Sequence, residues 1–206
     1  MRRAILLFVK YPDRGKVKTR LAATVGDDRA VEIYRQLVAT VCAHLPKNGA
    51  TVAALYDPPG RMRDTEAWLQ PLCSGRDLLI RPQAFGDLGV RLEEAFRGAF
   101  REGFTEAAAI GSDCVDIAPE LFDEAWTALE THDIVLGPTT DGGYYLIALK
   151  TTHPGLFRDI SWSTETVCDQ TVAAAEAAGL RVYRLRELHD VDTEDDWRQV
   201  QARLKA

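Results

Sequence analysis

Six consecutive apolar residues, Ala4-Ile5-Leu6-Leu7-Phe8-Val9, stand between Arg3 and Lys10 near the start of the chain. A strand that is apolar at every position has no face to give to water. Both faces must be covered, as helices cover a parallel sheet. The run is too short for the core of a signal peptide and no small-residue cleavage site follows it, so we read it as a buried first strand.

Similar short runs recur at Thr51–Tyr56, Leu78–Arg81, Ala107–Ile110, Ile134–Leu136 and Tyr144–Leu149, and Arg181–Leu185 alternates like a strand. Helical patterns lie between them. Val31, Tyr34, Leu37, Val38, Val41 and Leu45 mark a helix over 27–45, a short helix passes through Ala67–Leu69, and Leu88, Leu92, Phe96, Ala99 and Phe100 mark another. Pro119 opens a further helix, one over 163–178 stops at Gly179, and the last begins near Thr193. This order predicts one domain over 1–206: an α/β, mostly parallel, doubly wound sheet with helices on both faces and a small β insertion. Ligands of such sheets bind at the carboxyl ends of the strands, which directs attention to the loops there.

A net charge of −6 disfavours nucleic acid as a partner, although a local basic cluster can still hold phosphate. The four cysteines form no C-x-x-C pair, which argues for a reducing, cytoplasmic setting without a zinc knuckle or redox dithiol. No run reaches transmembrane length, so no membrane is expected. Self-association is left open; Trp68 and Trp126, if exposed, would mark a contact between copies.

Four strand-end loops are polar. In Lys10-Tyr11-Pro12-Asp13-Arg14-Gly15-Lys16-Val17-Lys18-Thr19-Arg20, five of eleven residues are basic, and Gly15 frees the backbone for close approach or positive φ. Such a loop, feeding a helix, can hold phosphate through Lys18 and the bidentate guanidinium of Arg20. It can equally be a solvated basic loop. In Ser112-Asp113-Cys114-Val115-Asp116, carboxylates three apart can share a hard cation, Mg²⁺ or Mn²⁺, or Asp116 can simply cap the turn before Pro119. Thr140-Asp141-Gly142-Gly143-Tyr144 reads as a hairpin turn or, joined by Trp162, as the seat of a hydroxyl-rich acceptor. Ser163 suits a helix N-cap with Glu165 supporting the dipole. In His189-Asp190-Val191-Asp192-Thr193, Thr193 and Asp196 form a capping-box-like start, with a metal role for Asp190 or Asp192 as the alternative. His189 is either a general base or a structural hydrogen-bonder.

Together these segments resemble one family. F-V-K-Y-P-x-x-G-x-V-K-T-R-L (8–21), Q-x-F-G-D-L-G-x-R (83–91), G-S-D-C-V-D (111–116), G-P-T-T-D-G-G-Y-Y-L (137–146), D-I-S-W-S-T-E (159–165) and D-V-D-T-E-D-D (190–196) follow in order over nearly the whole chain. They look like the bacterial glycosyltransferase-like proteins of the GT-A superfamily, long known as a domain of unknown function, some named for arsenosugar biosynthesis. The chain is also similar to the guanylyltransferases of molybdenum-cofactor and phospholactate metabolism. The resemblance implies a GT-A, nucleotide-diphospho-sugar transferase fold with Asp113 on the metal. It places Lys10, Gly15, Lys16, Lys18 and Arg20 on the nucleotide phosphates, and Gln83, Gly89 and Arg91 near base or ribose. The carboxylates are spaced D-x-x-D rather than D-x-D, and Val115 stands where the family pattern leads us to expect proline.

The expected activity is transfer of a sugar from a nucleotide-diphosphate sugar to a small hydroxylated acceptor. Asp113, Asp116 and Asp192 are the candidate metal ligands. Asp141 is the candidate base with His189 in reserve, and Thr140, Gly142, Gly143, Tyr144 and Trp162 face the acceptor. Two alternatives stand beside it. One is a nucleotidylyltransferase that joins a nucleoside triphosphate to a phosphorylated metabolite; the other is a non-catalytic nucleotide-binding module.

Overall fold

The computed structural model describes residues 1–204. Seven strands form one sheet: β1 (Arg3–Lys10), β2 (Ala50–Asp57), β3 (Leu78–Pro82), β4 (Glu106–Ile110), β5 (Ile134–Pro138), β6 (Tyr144–Leu149) and β7 (Val182–Arg184), in the order β3-β2-β1-β4-β6-β5-β7. β1 pairs in parallel with β2 and β4, and β6 runs antiparallel between β4 and β5. The β-rich stretch is therefore built into the main sheet as a hairpin.

Among the described residues seven α-helices flank the strands: α1 (Thr19–Val25), α2 (Asp27–His44), α3 (Met62–Leu72), α4 (Leu88–Arg101), α5 (Pro119–Leu129), α6 (Val167–Ala177) and α7 (Glu194–Leu204). β1 serves both sheet faces. Ile5, Leu7 and Val9 pack with Val38, Val41 and Phe122 from α2 and α5, while Ala4 and Leu6 pack with Leu92 and Phe96 of α4. That is the physical meaning of six apolar residues in a row. A smaller cluster of Leu21, Leu37, Val115, Val191 and Trp197 ties α1, α2 and α7 together beside the end of β4.

Three details differ from the sequence expectation. The basic loop ends in α1, only seven residues long and separated from α2 by Gly26 at φ 81°; one buried leucine is too little periodicity to announce a helix. α6 begins at Val167, because Ser163 (φ 65°) belongs to a loop whose backbone crosses Gly142, and Cys168 N donates to the Gly142 carbonyl at 2.9 Å. Ser163 is therefore no N-cap. Trp126 is buried and Trp68 packs against Tyr11 and Tyr34 with centroids 6.2 Å away, so neither ring is an exposed contact. Among the described residues no helix is long and apolar enough to cross a membrane.

The chain steps from β1 outward to β2 and β3, then returns to place β4 on the other side of β1. The carboxyl ends of β1 and β4 thus flank the switch point of the sheet, where such folds leave a crevice.

Candidate active site

A cleft of about 900 Å³ opens at that switch point. β1, its following loop and α1 contribute Lys10, Lys18 and Arg20, β4 leads into Gly111, Ser112 and Asp113, and Asp190 and Asp192 come from the segment before α7. Tyr34 of α2 fixes the two strand ends relative to each other. Its hydroxyl accepts from Lys10 N at 2.9 Å, lies 3.1 Å from Lys10 O and meets Ser112 Oγ at 3.2 Å.

The centre of the cleft is a charge knot. Lys18 takes the left-handed conformation (φ 44°, ψ 50°) just before α1, and its side chain is only 8% exposed. Its ammonium donates to Asp113 Oδ2 at 2.7 Å and Asp192 Oδ1 at 2.9 Å. Burial alone would lower the lysine pKa, but Asp113 and Asp192 outweigh it and hold the ammonium above lysine's ordinary range. Arg20, largely exposed, reaches Asp192 Oδ2 at 3.3 Å. Asp190 Oδ1 is buried with no hydrogen-bond partner; burial first, then the Asp113 carboxylate, pushes this carboxyl up to about 7.

In the cleft lining, Gln83 donates through Nε2 to Leu55 O (2.8 Å) and Val9 O (3.3 Å), and its Oε1 accepts from Arg91 at 2.8 Å. Gln83 is thus spent on bracing the ends of β1 and β2, while Arg91 also donates to Gly86 O at 3.0 Å. Gly89 does not line the cleft: the Phe157 carbonyl and the Trp162 ring occupy the space a Cβ would need. The lining also includes Asp141, Gly143, Tyr144, Trp162 and Glu165. Asp141 Oδ1 accepts from Thr139 Oγ1 at 2.6 Å and Gly143 N at 3.1 Å, which fixes the carboxylate on its turn.

Several expected residues lie elsewhere. Asp116 is turned to α7, where Arg203 holds both its oxygens at 2.8 and 2.9 Å, and it does not line the cleft with Asp113. His189 is fixed between Thr140 Oγ1 (2.6 Å) and Asp196 Oδ1 (2.8 Å), so the structure gives it and Thr140 a hydrogen-bonding role outside the cleft. Gly15 and Lys16 are also outside the lining, and Gly142 lies beneath the Glu165 backbone. In turn the cleft contains Tyr34, which the sequence marked only as an apolar helix position, and Glu165, which it read as supporting a helix dipole.

Among the described residues no three His, Cys, Asp or Glu side chains converge as a ready-made metal cage. The donor chemistry nevertheless suits a hard divalent ion. Asp87, Asp113, Asp141, Glu165, Asp190 and Asp192 line the cleft against Lys10, Lys18, Arg20 and Arg91, six acids to four bases. One of those carboxylate oxygens, Asp190 Oδ1, is buried and unpartnered. An anionic ligand entering this cleft would need added positive charge.

A bacterial family described as "uncharacterized protein conserved in bacteria (DUF2064)" matches residues 38–164. No curated protein matches the chain. A crystal structure described as a "putative nucleotide-diphospho-sugar transferase" from Desulfovibrio desulfuricans G20 is 36% identical, covering 93% of this chain and 82% of that one at a TM-score of 0.83. Two more distant structures share the fold. The 4-diphosphocytidyl-2C-methyl-D-erythritol synthase of Anaerococcus prevotii is 10% identical (99% and 98% covered, TM-score 0.64). Rv0371c of Mycobacterium tuberculosis H37Rv, in complex with manganese, is 15% identical (97% of each chain, TM-score 0.51). The fold is thus that of the nucleotide-diphospho-sugar transferases and nucleotidyltransferases, with a mainly parallel seven-stranded sheet.

Proposed function

The chain belongs to the DUF2064 family, and on that premise we propose that it is a metal-dependent transferase moving a sugar from a nucleotide-diphosphate sugar to a small hydroxylated acceptor. The observation that carries this reading is a single cleft with two chemistries. Lys10, Lys18 and Arg20 line it together with Asp113, and so do Asp141, Tyr144, Trp162 and Glu165. Cations beside a carboxylate cluster suit a diphosphate and its metal; carboxylates with aromatic rings suit a polyol or sugar-like acceptor.

Asp113 and Asp192 are the residues that would hold Mg²⁺ or Mn²⁺, with Asp190 behind them. When bound, such an ion offsets phosphate charge and acts as a Lewis acid toward the departing diphosphate. Lys18 supplies a point charge to the phosphates and Arg20 a bidentate one. Arg91, braced by Gln83, would meet the base or ribose. Asp141 would accept the acceptor hydroxyl's proton through the oxygen that Thr139 and Gly143 leave free. Trp162 and Tyr144 give that acceptor an apolar wall.

One observation favours a second reading, nucleotidyl transfer to a phosphorylated metabolite. Lys18 places a buried cation beside Asp113, and a phosphate nucleophile would need that charge but no base. A thermal-shift screen of nucleotide sugars and nucleoside triphosphates, with and without Mn²⁺, separates the two. Metal-dependent stabilisation by nucleotide sugars alone supports sugar transfer; stabilisation by triphosphates alone supports the second reading and sinks the first.

A further inference from the structure

We propose that Lys18 is a built-in counter-ion that a divalent metal must displace from Asp113 and Asp192, so that metal and ligand phosphates bind as a pair and each binds weakly alone. The inference rests on the reading of Asp113 and Asp192 as metal ligands and adds a competitor already present in the chain.

The geometry leaves little choice. The ammonium touches Asp113 Oδ2 at 2.7 Å and Asp192 Oδ1 at 2.9 Å, so it bridges the two carboxylates where a cation shared by them would sit. Two cations cannot both take contact positions on these same two oxygens without strong repulsion. Lys18 is delivered there by its backbone. Its left-handed φ of 44° just before α1 is unfavourable for a lysine, and the side chain is nearly out of contact with water. Arg20 is no equivalent, because it lies in solvent and meets only Asp192.

Once displaced, the ammonium is a buried charge without a partner, a costly state. A ligand phosphate in the cleft relieves it. Phosphate therefore favours the metal by removing its competitor, and the metal favours phosphate by freeing a lysine for it. By linkage the two effects are equal in size. Without ligand, the same lysine keeps the acidic cleft from collecting stray cations.

The test is Mn²⁺ binding, followed through the electron paramagnetic resonance of free Mn²⁺, to the parent chain, Lys18→Met and Asp113→Ala. With Mn²⁺ alone, Lys18→Met is expected to bind about tenfold more tightly than the parent, because the competing charge is gone. With inorganic pyrophosphate added, the order reverses. Unchanged or weaker Mn²⁺ binding by Lys18→Met, with Asp113→Ala still abolishing it, overturns the proposal and leaves the metal reading standing. No Mn²⁺ binding to the parent or to Lys18→Met overturns both. A measurement on the parent avoids any folding defect of the variant. The buried, ion-paired ammonium of Lys18 should give a slowly exchanging ¹⁵N-correlated resonance that shifts on saturation with Mg²⁺. A resonance that stays in place while Mg²⁺ binds contradicts displacement.

Discussion

At the scale of single residues, the cleft is defined by side chains whose nearest neighbours are far away in sequence. Asp113 is visible in the sequence because it follows a buried strand, but its partners Lys18 and Asp192 lie 95 and 79 positions away (113 − 18 and 192 − 113). The i, i+3 spacing of Asp113 and Asp116 suggests a shared ion, yet it carries no information about Arg203, which takes Asp116 to the other side of the loop. Burial is equally hidden, and so Asp190 stands out only in three dimensions. Gly142 illustrates the opposite case: its Asp-Gly-Gly setting announces a turn, but the need for glycine comes from the Glu165 carbonyl pressed against it. Gly142→Ala is expected to destabilise the fold by about 2 kcal/mol or more, through both φ 85° and this overlap, measured as a lowered denaturation midpoint. At Asp141, the Asn substitution keeps the turn through its remaining carbonyl oxygen but cannot take a proton. Turnover should fall about 100-fold or more with nucleotide binding unchanged; retained turnover removes Asp141 as base.

At the scale of elements, periodicity is legible where an element is long and has a wet and a dry side. α2 and α4 run close to their expected limits, and the reciprocal bonds Asp196 N to Thr193 Oγ1 (3.2 Å) and Thr193 N to Asp196 Oδ2 (2.7 Å) are the capping box foreseen before α7. α1 and the start of α6 are set instead by tertiary contacts, which local patterns do not encode. One carboxylate reinforces the start of the β5–β7 pairing. Asp133 Oδ2 accepts from Arg181 N at 2.9 Å, and that bond, against a smaller opposing effect of burial, holds its carboxyl below the ordinary range. A carboxylate with a lowered folded pKa contributes stability that is present above its unfolded value and is lost as pH falls. Asp133→Asn should therefore lower the melting temperature at pH 7 and narrow its difference from the parent below pH of about 4. An equal deficit at both pH values would assign the loss to packing rather than charge.

At the scale of the whole molecule, the alternation of apolar runs and helical patterns made a mixed α/β sheet legible. The hairpin turn announces that β6 returns antiparallel to β5, but its pairing with β4 is not legible, because Tyr144–Leu149 is apolar on both faces whichever neighbour it takes. Its two cores share the strands that separate them, with Ile5 and Leu7 on one face and Ala4 and Leu6 on the other. Chain 1–206 should accordingly unfold as one unit, with tryptophan fluorescence and far-ultraviolet dichroism giving coincident transitions; separated midpoints would divide it into two folding units. The cleft is likewise a property of the whole sheet, since its lining is drawn from segments as distant in sequence as Lys10, Gln83, Asp113, Asp141 and Asp192. The central claim is that Asp113 anchors a metal-assisted nucleotide site in that cleft, and titration of a nucleotide-diphosphate sugar against the parent and Asp113→Ala, with and without Mn²⁺, addresses it most directly. Mn²⁺ should tighten binding to the parent and leave Asp113→Ala unaffected; an equal Mn²⁺ effect on both proteins would contradict it.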